Sequence, residues 1–475
     1  MGSPERRLSF RKIFGVLVGT DTESRINLFE LFPRFRTFFT NRLNILYART
    51  SGDVFFTLLI LLGLFGPQDP NRNISLFISW GLWWTSVVLS WFFVGKLWCG
   101  ICPFPGLGRL FQGLGISLDL EVPQSLKKVF VHLSVILLGI IIWIESVTNM
   151  KEWPAGTAYL LLSILLGATL MGVIFKGQAW CRHVCPLGKI IGSAATIAVT
   201  EFRSDQSKCR TCKTMACKLG AGSVPGCPIS LGATNVRSNF YCLVCGHCVM
   251  LCKRSSPAIY LRNPFAEITS HVELTTKKTT YLTYSYIIPF FMGSQLARFV
   301  QHLQSYQSLQ AYLFGSNLVT FTVLLAAGFL FLIAFIRIGA SFFVPIENDV
   351  FGLYSPMVPA LVPMAFTGEL AYRLEYLLSN IGSFLPTFGR QFGIDMDSIS
   401  FNIPAPIIYT LCILVLTLGA LAGNYVLYIF HKRNFIAAMP KKNYVSVYIL
   451  LTSIFLIYLI LFGLPNFAFL SYLPR

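Results

Sequence analysis

Long apolar runs separated by short polar, basic or proline-rich stretches recur along this 475-residue chain, near 54–66, 74–95, 128–146, 157–175, 280–298, 316–336, 351–367, 406–430 and 443–463. A helix of about 20 apolar residues matches the hydrocarbon thickness of a bilayer. The pattern predicts an all-α polytopic membrane protein with about nine transmembrane helices. The first run, Val54 to Gly66, is short enough for a re-entrant segment. The seventh carries Pro356, Pro359 and Pro363 and predicts a broken or kinked helix, tolerated where neighbouring helices bury it.

Composition agrees, with 54% apolar and only 12% charged residues. The formal charge of +18 does not indicate nucleic acid, because it is concentrated in three segments. Residues 1–50 hold nine Lys or Arg against four Asp or Glu, residues 201–280 hold eleven against four, and residues 431–442 hold four against none. If the spans alternate, all three lie on one side, and the positive-inside rule makes that side cytoplasmic in the cell inner membrane. No signal peptide is expected ahead of the first run, since residues 1–50 lack a continuous apolar core. That segment mixes Arg with Phe and Leu. It reads either as helices lying in the cytoplasmic interface or as a basic flank that sets topology.

Twelve of the 13 cysteines fall into four groups. Cys242, Cys245, Cys248 and Cys252 have the CxxCxxCxxxC spacing of a bacterial ferredoxin, in which three thiolates hold one [4Fe-4S] cube and the fourth reaches a second. Cys209, Cys212, Cys217 and Cys227, the last followed by Pro228, form the partner run. One cluster is thus assigned to Cys227, Cys242, Cys245 and Cys248, and the other to Cys209, Cys212, Cys217 and Cys252. Structural zinc uses CxxC pairs across a longer spacer, and disulfides require an oxidising compartment. The first run departs from the ferredoxin pattern by two extra residues before its third cysteine, and Lys253 stands where proline is expected after Cys252. The clusters would replace a hydrophobic core in this loop-rich unit.

Cys99 and Cys102, and Cys181 and Cys185, each close a helical hairpin. Phe93, Gly95, Trp98 and Cys99 are matched by Phe175, Gly177, Trp180 and Cys181, so an FxGxxWC segment repeats and marks an internal duplication. Proline after Cys102 and Cys185 forces a tight turn. Three readings stay open: inert core thiols, a redox-active dithiol, or a third metal centre with four thiolates near the membrane surface. The chain divides into a basic segment (1–50), a membrane block with the duplicated hairpins (51–199), a two-cluster ferredoxin domain (200–265) and a C-terminal membrane block (266–475).

The paired motifs WCGICP and WCRHVCPLG ahead of a two-cluster ferredoxin resemble the membrane polyferredoxins of the NapH and NosR type, and CcoG shares related motifs. The resemblance covers about residues 80–260. It implies an electron-transfer (oxidoreductase) subunit, quinol-oxidising with a partner, that links the quinone pool or a cytoplasmic donor to a partner reductase or dehydrogenase. It also makes Cys99, Cys102, Cys181 and Cys185 functional positions of unspecified kind. The chain lacks an obvious N-terminal flavin-bearing domain, and its long C-terminal membrane block has no recognised counterpart.

Other signals are weaker. His132 lies mid-span, as a haem or quinone contact or a hydrogen-bonded core residue. His183 and His247 sit inside cysteine motifs as tuning donors, while His271, His302 and His431 fall at span ends. Glu369, Arg373 and Glu375 predict an interfacial helix on the outer face with an i,i+4 pair, or a quinone head-group or partner contact. Cys412 reads as a small buried apolar residue. Neither a Walker loop nor a Rossmann fingerprint is present. The basic side chains Lys208, Arg210, Lys213, Lys218, Lys253 and Arg254 suit either an acidic soluble ferredoxin or flavodoxin or anionic lipid. The leading reading is membrane electron transfer between such a donor or quinone and a partner redox subunit. Alternatives are a metalloenzyme assembly or copper-handling factor, and a redox-sensing regulator; transport is disfavoured by the scarcity of charges in the C-terminal spans.

Overall fold

The computed structural model describes residues 10–19, 24–222, 224–270, 278–303, 305–313, 315–343, 350–351, 353, 355–432 and 443–470. Residues 1–9 of the basic segment, His271 and most of the basic loop 431–442 lie outside them. Seven described helices are long and apolar enough to cross a membrane: Arg42–Phe65, Ile74–Val94, Gln124–Val147, Pro154–Ile174, Asn317–Ala340, Ala405–Lys432 and the apolar part of Asn443–Leu470. Two more helices of 24 residues, Lys278–Gln301 and Met357–Asn380, bring the long helices among the described residues to the number the apolar runs predict. The protein is a multi-pass, mostly helical membrane protein.

Two expectations change. The run from Val54 is not a short re-entrant segment but the second half of a 24-residue helix that begins at Arg42. The proline-bearing run is not broken: Met357–Asn380 is continuous, with Pro359 in its first turn, where an N–H has no intrahelical partner, and Pro363 inside.

The chain gathers into two units, one of residues 1–54, 90–122 and 168–270, the other of residues 55–89, 123–167 and 271–475. The first is built on a three-stranded antiparallel sheet of β1 (Arg25–Asn27), β2 (Thr200–Ser204) and β3 (Pro257–Arg262), in the order β1-β3-β2. Ile26 faces Leu261 and Phe202 faces Ile259 across the ladders. The N-terminal segment is therefore an edge strand of this sheet. Its Phe29 and Phe39 enter a core with Phe202, Val236, Ile259, Cys242 and Cys248. Arg262, 1% exposed, pairs with Glu201 and Glu267. The same guanidinium donates to the carbonyls of Ala195, Thr196 and Ala198. It thus closes the C-terminal end of helix Pro186–Ala195, where free carbonyls and the helix dipole favour a cation.

In the second unit, close helix crossings depend on glycine. Gly419 and Gly423, four apart on Ala405–Lys432, face Met357–Asn380; a Cβ at Gly419 would lie 1.8 Å from Thr367 Oγ1 and one at Gly423 2.6 Å from the Ala360 carbonyl. Without a hydrophobic drive between helices in lipid, such small-residue faces supply the packing. Gly419→Ala is expected to lose about 1–3 kcal/mol to overpacking, against a gain of roughly 1 kcal/mol in helix propensity. A net fall in thermal stability in detergent checks it; a rise would show that the crossing yields.

Glu369 and Arg373 do not lie on an interfacial helix. They are 1% and 3% exposed and sit in a chain of ion pairs, Glu145–Arg373–Glu369–Arg298, with separations of 2.9, 2.7 and 2.6 Å. The polar path continues beside Arg298 as Gln295, whose side chain accepts from Tyr458 and donates to the Ala365 carbonyl. The expectation of few charges among the later helices is corrected accordingly. A cavity of about 870 Å³ with Glu145, Lys151, His302, Tyr372 and Glu375 in its wall opens beside this chain. His132 is exposed on Gln124–Val147 rather than a hydrogen-bonded core residue, and Cys412 is fully buried, its thiol 3.5 Å from the Ala371 carbonyl.

Candidate iron-sulfur sites

All twelve grouped cysteines fall in the first unit, and all are free thiols. Cys227, Cys242, Cys245 and Cys248 line one cavity, with Phe202, Ile229, Leu231 and Val236 completing its wall. Cys209, Cys212, Cys217 and Cys252 line a second. These are the two fours that ferredoxin spacing pairs. Among the described residues no three His, Cys, Asp or Glu side chains converge closely enough for a single metal ion.

Backbone strain gathers in the same loops. Of six non-glycine residues with positive φ among the described residues, Met215, Ser230, Val244 and Ser255 lie between or just after the ferredoxin cysteines. Val244 at φ 51° is β-branched, for which this region is costly, and such strain persists only where the surroundings fix it. Backbone N–H groups of these loops bond to the cysteine sulfurs, that of Val244 to Cys242 and that of His247 to Cys245. Ser256 joins Cys209 to Cys252: its hydroxyl lies 3.2 Å from Cys209 Sγ and its N–H donates to Cys252 Sγ at 3.4 Å.

The membrane pairs are also brought together. Gly95 and Gly177, the matched glycines of the repeat, both adopt left-handed φ, 57° and 65°. Gly108 and Gly172 pack against each other, a Cβ at Gly172 falling 2.9 Å from Gly108 Cα. Gln112 bridges the repeats by donating to the carbonyls of Gly172 and Gly177. Cys99, Cys102, Cys181 and Cys185 consequently feel one another's charge. Cys185 caps helix Pro186–Ala195, accepting from the Gly188 N–H at 3.2 Å with Pro186 at the first helical position.

Electrostatics sets what any role of these four thiols requires. Burial pushes Cys99 up to about 12 and raises Cys102, Cys181 and Cys185 as well. A reactive dithiol and a metal ligand both act as thiolates, so either role needs positive charge to offset this burial. Two buried lysines accompany the thiols. Lys96, 5% exposed, donates to the Phe240 carbonyl at 2.8 Å, and its charge favours the thiolates of Cys99, Cys181 and Cys185. Lys189, 8% exposed, is pushed down to about 8 by burial and then by Lys96. Among the described residues both lysines bond to carbonyls and neither pairs with an acid, which suits an anionic occupant such as four thiolates around a metal centre.

The sites touch. A Cβ on Gly100 would lie 2.9 Å from the Leu243 carbonyl and 3.2 Å from Cys245 Cα, and one on Gly177 2.6 Å from the Pro228 carbonyl, which also accepts from Gln178 N–H. Both repeats therefore seat against the Cys227–Cys248 site. The same site also meets the outer run: Cys248 Sγ lies 3.9 Å from the Cys217 carbonyl. Sequence reasoning placed His247 as a tuning donor; its Nδ1 lies 3.0 Å from the Gly226 carbonyl, next to Cys227. It did not find Lys96, Ser256 or Arg49, which reach distant parts of the chain, or Lys189, which donates to the nearby Arg182 carbonyl at 3.4 Å.

Residues 76–118 and 157–192 match the 4Fe-4S binding domain family, two segments that hold Cys99 and Cys102, and Cys181 and Cys185. The chain is 25% identical over 177 residues to an uncharacterized protein of Methanocaldococcus jannaschii (36% of this chain, 66% of that one). It is 26% identical over 209 residues to protein NirI of Paracoccus denitrificans (37% and 29%). It is 27% identical over 174 residues to the ferredoxin-type protein NapH of Escherichia coli (33% and 59%). The matched stretch thus spans less than two thirds of the length of each of these relatives. No solved structure matches.

Proposed function

For this membrane iron-sulfur electron-transfer protein, similar to the ferredoxin-type proteins of the NapH and NosR kind, we propose three four-cysteine sites in series. Cys227, Cys242, Cys245 and Cys248 form the middle site. Cys209, Cys212, Cys217 and Cys252 lie at the outer end, and Cys99, Cys102, Cys181 and Cys185 at the membrane end. The observation that carries this reading is that the middle site meets both of the others, the membrane repeats through Gly100 and Gly177 and the outer run through the Cys217 carbonyl. When bound, [4Fe-4S] clusters supply reversible one-electron chemistry at potentials set by burial and N–H donors. The chain's own part is to hold the thiolates, keep water from the inner two sites and balance their charge with Lys96 and Lys189.

The outer site faces a donor. Lys208, Arg210, Lys213, Lys218, Lys253 and Arg254 are all exposed, and Lys208, Arg210, Lys218 and Arg254 line the wall of its cavity. An acidic soluble ferredoxin or flavodoxin is the donor that such a cationic rim would steer. The quinone pool and a partner redox subunit are assigned to the membrane end, with the cytoplasmic side as the location of the outer site.

Reduction by a pre-reduced flavodoxin, followed by stopped-flow bleaching of the iron-sulfur absorbance, tests the reading. The rate is expected to fall steeply as ionic strength rises past about 0.1 M, where the screening length is near 10 Å, and to fall again in Lys213→Glu/Lys253→Glu. A rate indifferent to both, with fast reduction by a quinol analogue, would reverse the assigned direction.

A further inference from the structure

We propose that Arg49 is a positioning residue that locks the Cys99–Cys102 turn onto the middle cysteine site and fixes the spacing between the two. The proposal rests on the reading of Cys99, Cys102, Cys181 and Cys185 as a cluster site. Arg49 lies on helix Arg42–Phe65, ahead of the apolar run. Its Nε donates to the Gly100 carbonyl at 3.0 Å, inside the CGIC turn, and its Nη1 lies 3.2 Å from His247 Nε2. A guanidinium can only donate and a carbonyl can only accept. His247 is therefore neutral with its proton on Nδ1, accepting from Arg49 and donating to the Gly226 carbonyl. Arg49 thus reaches two cysteine-bearing loops directly, the turn of Cys99 and Cys102 and the run of Cys245 and Cys248, and through His247 a third, the loop of Cys227.

At Gly100 the contact it secures is made backbone to backbone. Gly100 brings bare backbone against the Leu243 and Val244 carbonyls and Cys245 Cα, with no room for a Cβ. Such a backbone approach supplies only weak Cα–H···O contacts at that point. A cation donating across the joint supplies the missing attraction. A basic residue near the start of a membrane helix ordinarily extends to lipid headgroups; here its donors are engaged inside the protein. The fork also distinguishes arginine from lysine, because a single ammonium cannot hold the fixed geometry between a carbonyl and an imidazole.

Full-length protein in detergent, as wild type, Arg49→Gln, Arg49→Lys and Gly100→Ala, tests this by iron and sulfide content and by low-temperature EPR with redox titration. Wild type is expected to show a spin–spin interaction between the membrane-end and middle signals. Arg49→Gln is expected to keep its iron, weaken that interaction and shift a middle-site or membrane-end potential to more negative values. Arg49→Lys should weaken the interaction with little shift in potential, since the charge remains. Gly100→Ala should weaken it by displacing the turn while leaving Arg49 in place. Should Arg49→Gln lose iron, the other two variants decide. An interaction and potentials unchanged in all variants overturn the positioning role. A wild-type protein with only two signals instead overturns the membrane-end site itself.

Discussion

Arg373→Met is expected to destabilise the C-terminal membrane unit by about 3–5 kcal/mol, the range for removing one partner of a buried ion pair. Arg373 is 3% exposed and sits between two carboxylates, with Nη1 2.9 Å from Glu145 and Nε 2.7 Å from Glu369. Its loss leaves Glu145 with Lys151 alone, at 3.7 Å, and leaves Glu369 with Arg298. The double variant Glu145→Gln/Arg373→Met removes one charge of each sign and keeps the Glu369–Arg298 pair. It is expected to regain most of the loss, because balanced removal of buried charge is often nearly neutral. Thermal unfolding in detergent, followed by helical circular dichroism, separates the two. A single variant as stable as wild type would mean that water reaches these carboxylates from the adjoining cavity.

That ion-pair chain was the least legible part of the sequence. Glu369 and Arg373 could be paired by their helical spacing, but Glu145 lies 228 residues from Arg373 and Arg298 lies 71 from Glu369. Read without those partners, charges at the end of an apolar run look like a membrane-surface helix. The same limit applies to Arg49, which reaches 51 residues to Gly100 and 198 to His247. β1 is three residues long, too short for a period-two pattern to register, so its place in the sheet could come only from the fold. Hydropathy also cut the first helix short, because Arg42 to Asp53 continue it with polar residues. What could be read was chemistry that is local in sequence. The ferredoxin spacings named two sets of four thiols, and each set lines one cavity. The matched glycines of the repeat share a left-handed backbone, which is why a glycine recurs at that place in both hairpins.

Serine at Cys99, Cys102, Cys181 and Cys185 together is expected to lower the iron content by about a third, from about twelve to about eight per chain at four irons per cube, with the remaining signals intact. The four thiols are gathered by the repeat but are not part of the unit's main core, which is formed by Phe29, Phe39, Phe202 and Ile259 around Cys242 and Cys248. Lys96 keeps its bond to the Phe240 carbonyl, so the loss leaves a cation partly satisfied and the fold weakened rather than lost. Serine at Cys242 and Cys248 should act differently. Both are buried in that core, at 9% and 8% exposure, and ligand loss there removes the binding free energy on which a small cysteine-rich unit depends for folding. The expected result is a chain that fails to accumulate with any iron, even though only one site has been altered. Inductively coupled plasma iron analysis with acid-labile sulfide on both variants checks the contrast. Eight irons in wild type and no change on losing the four membrane-end cysteines would leave those thiols without a metal. The buried lysines beside them would then be without an anionic occupant, a cost that the fold has no evident reason to bear.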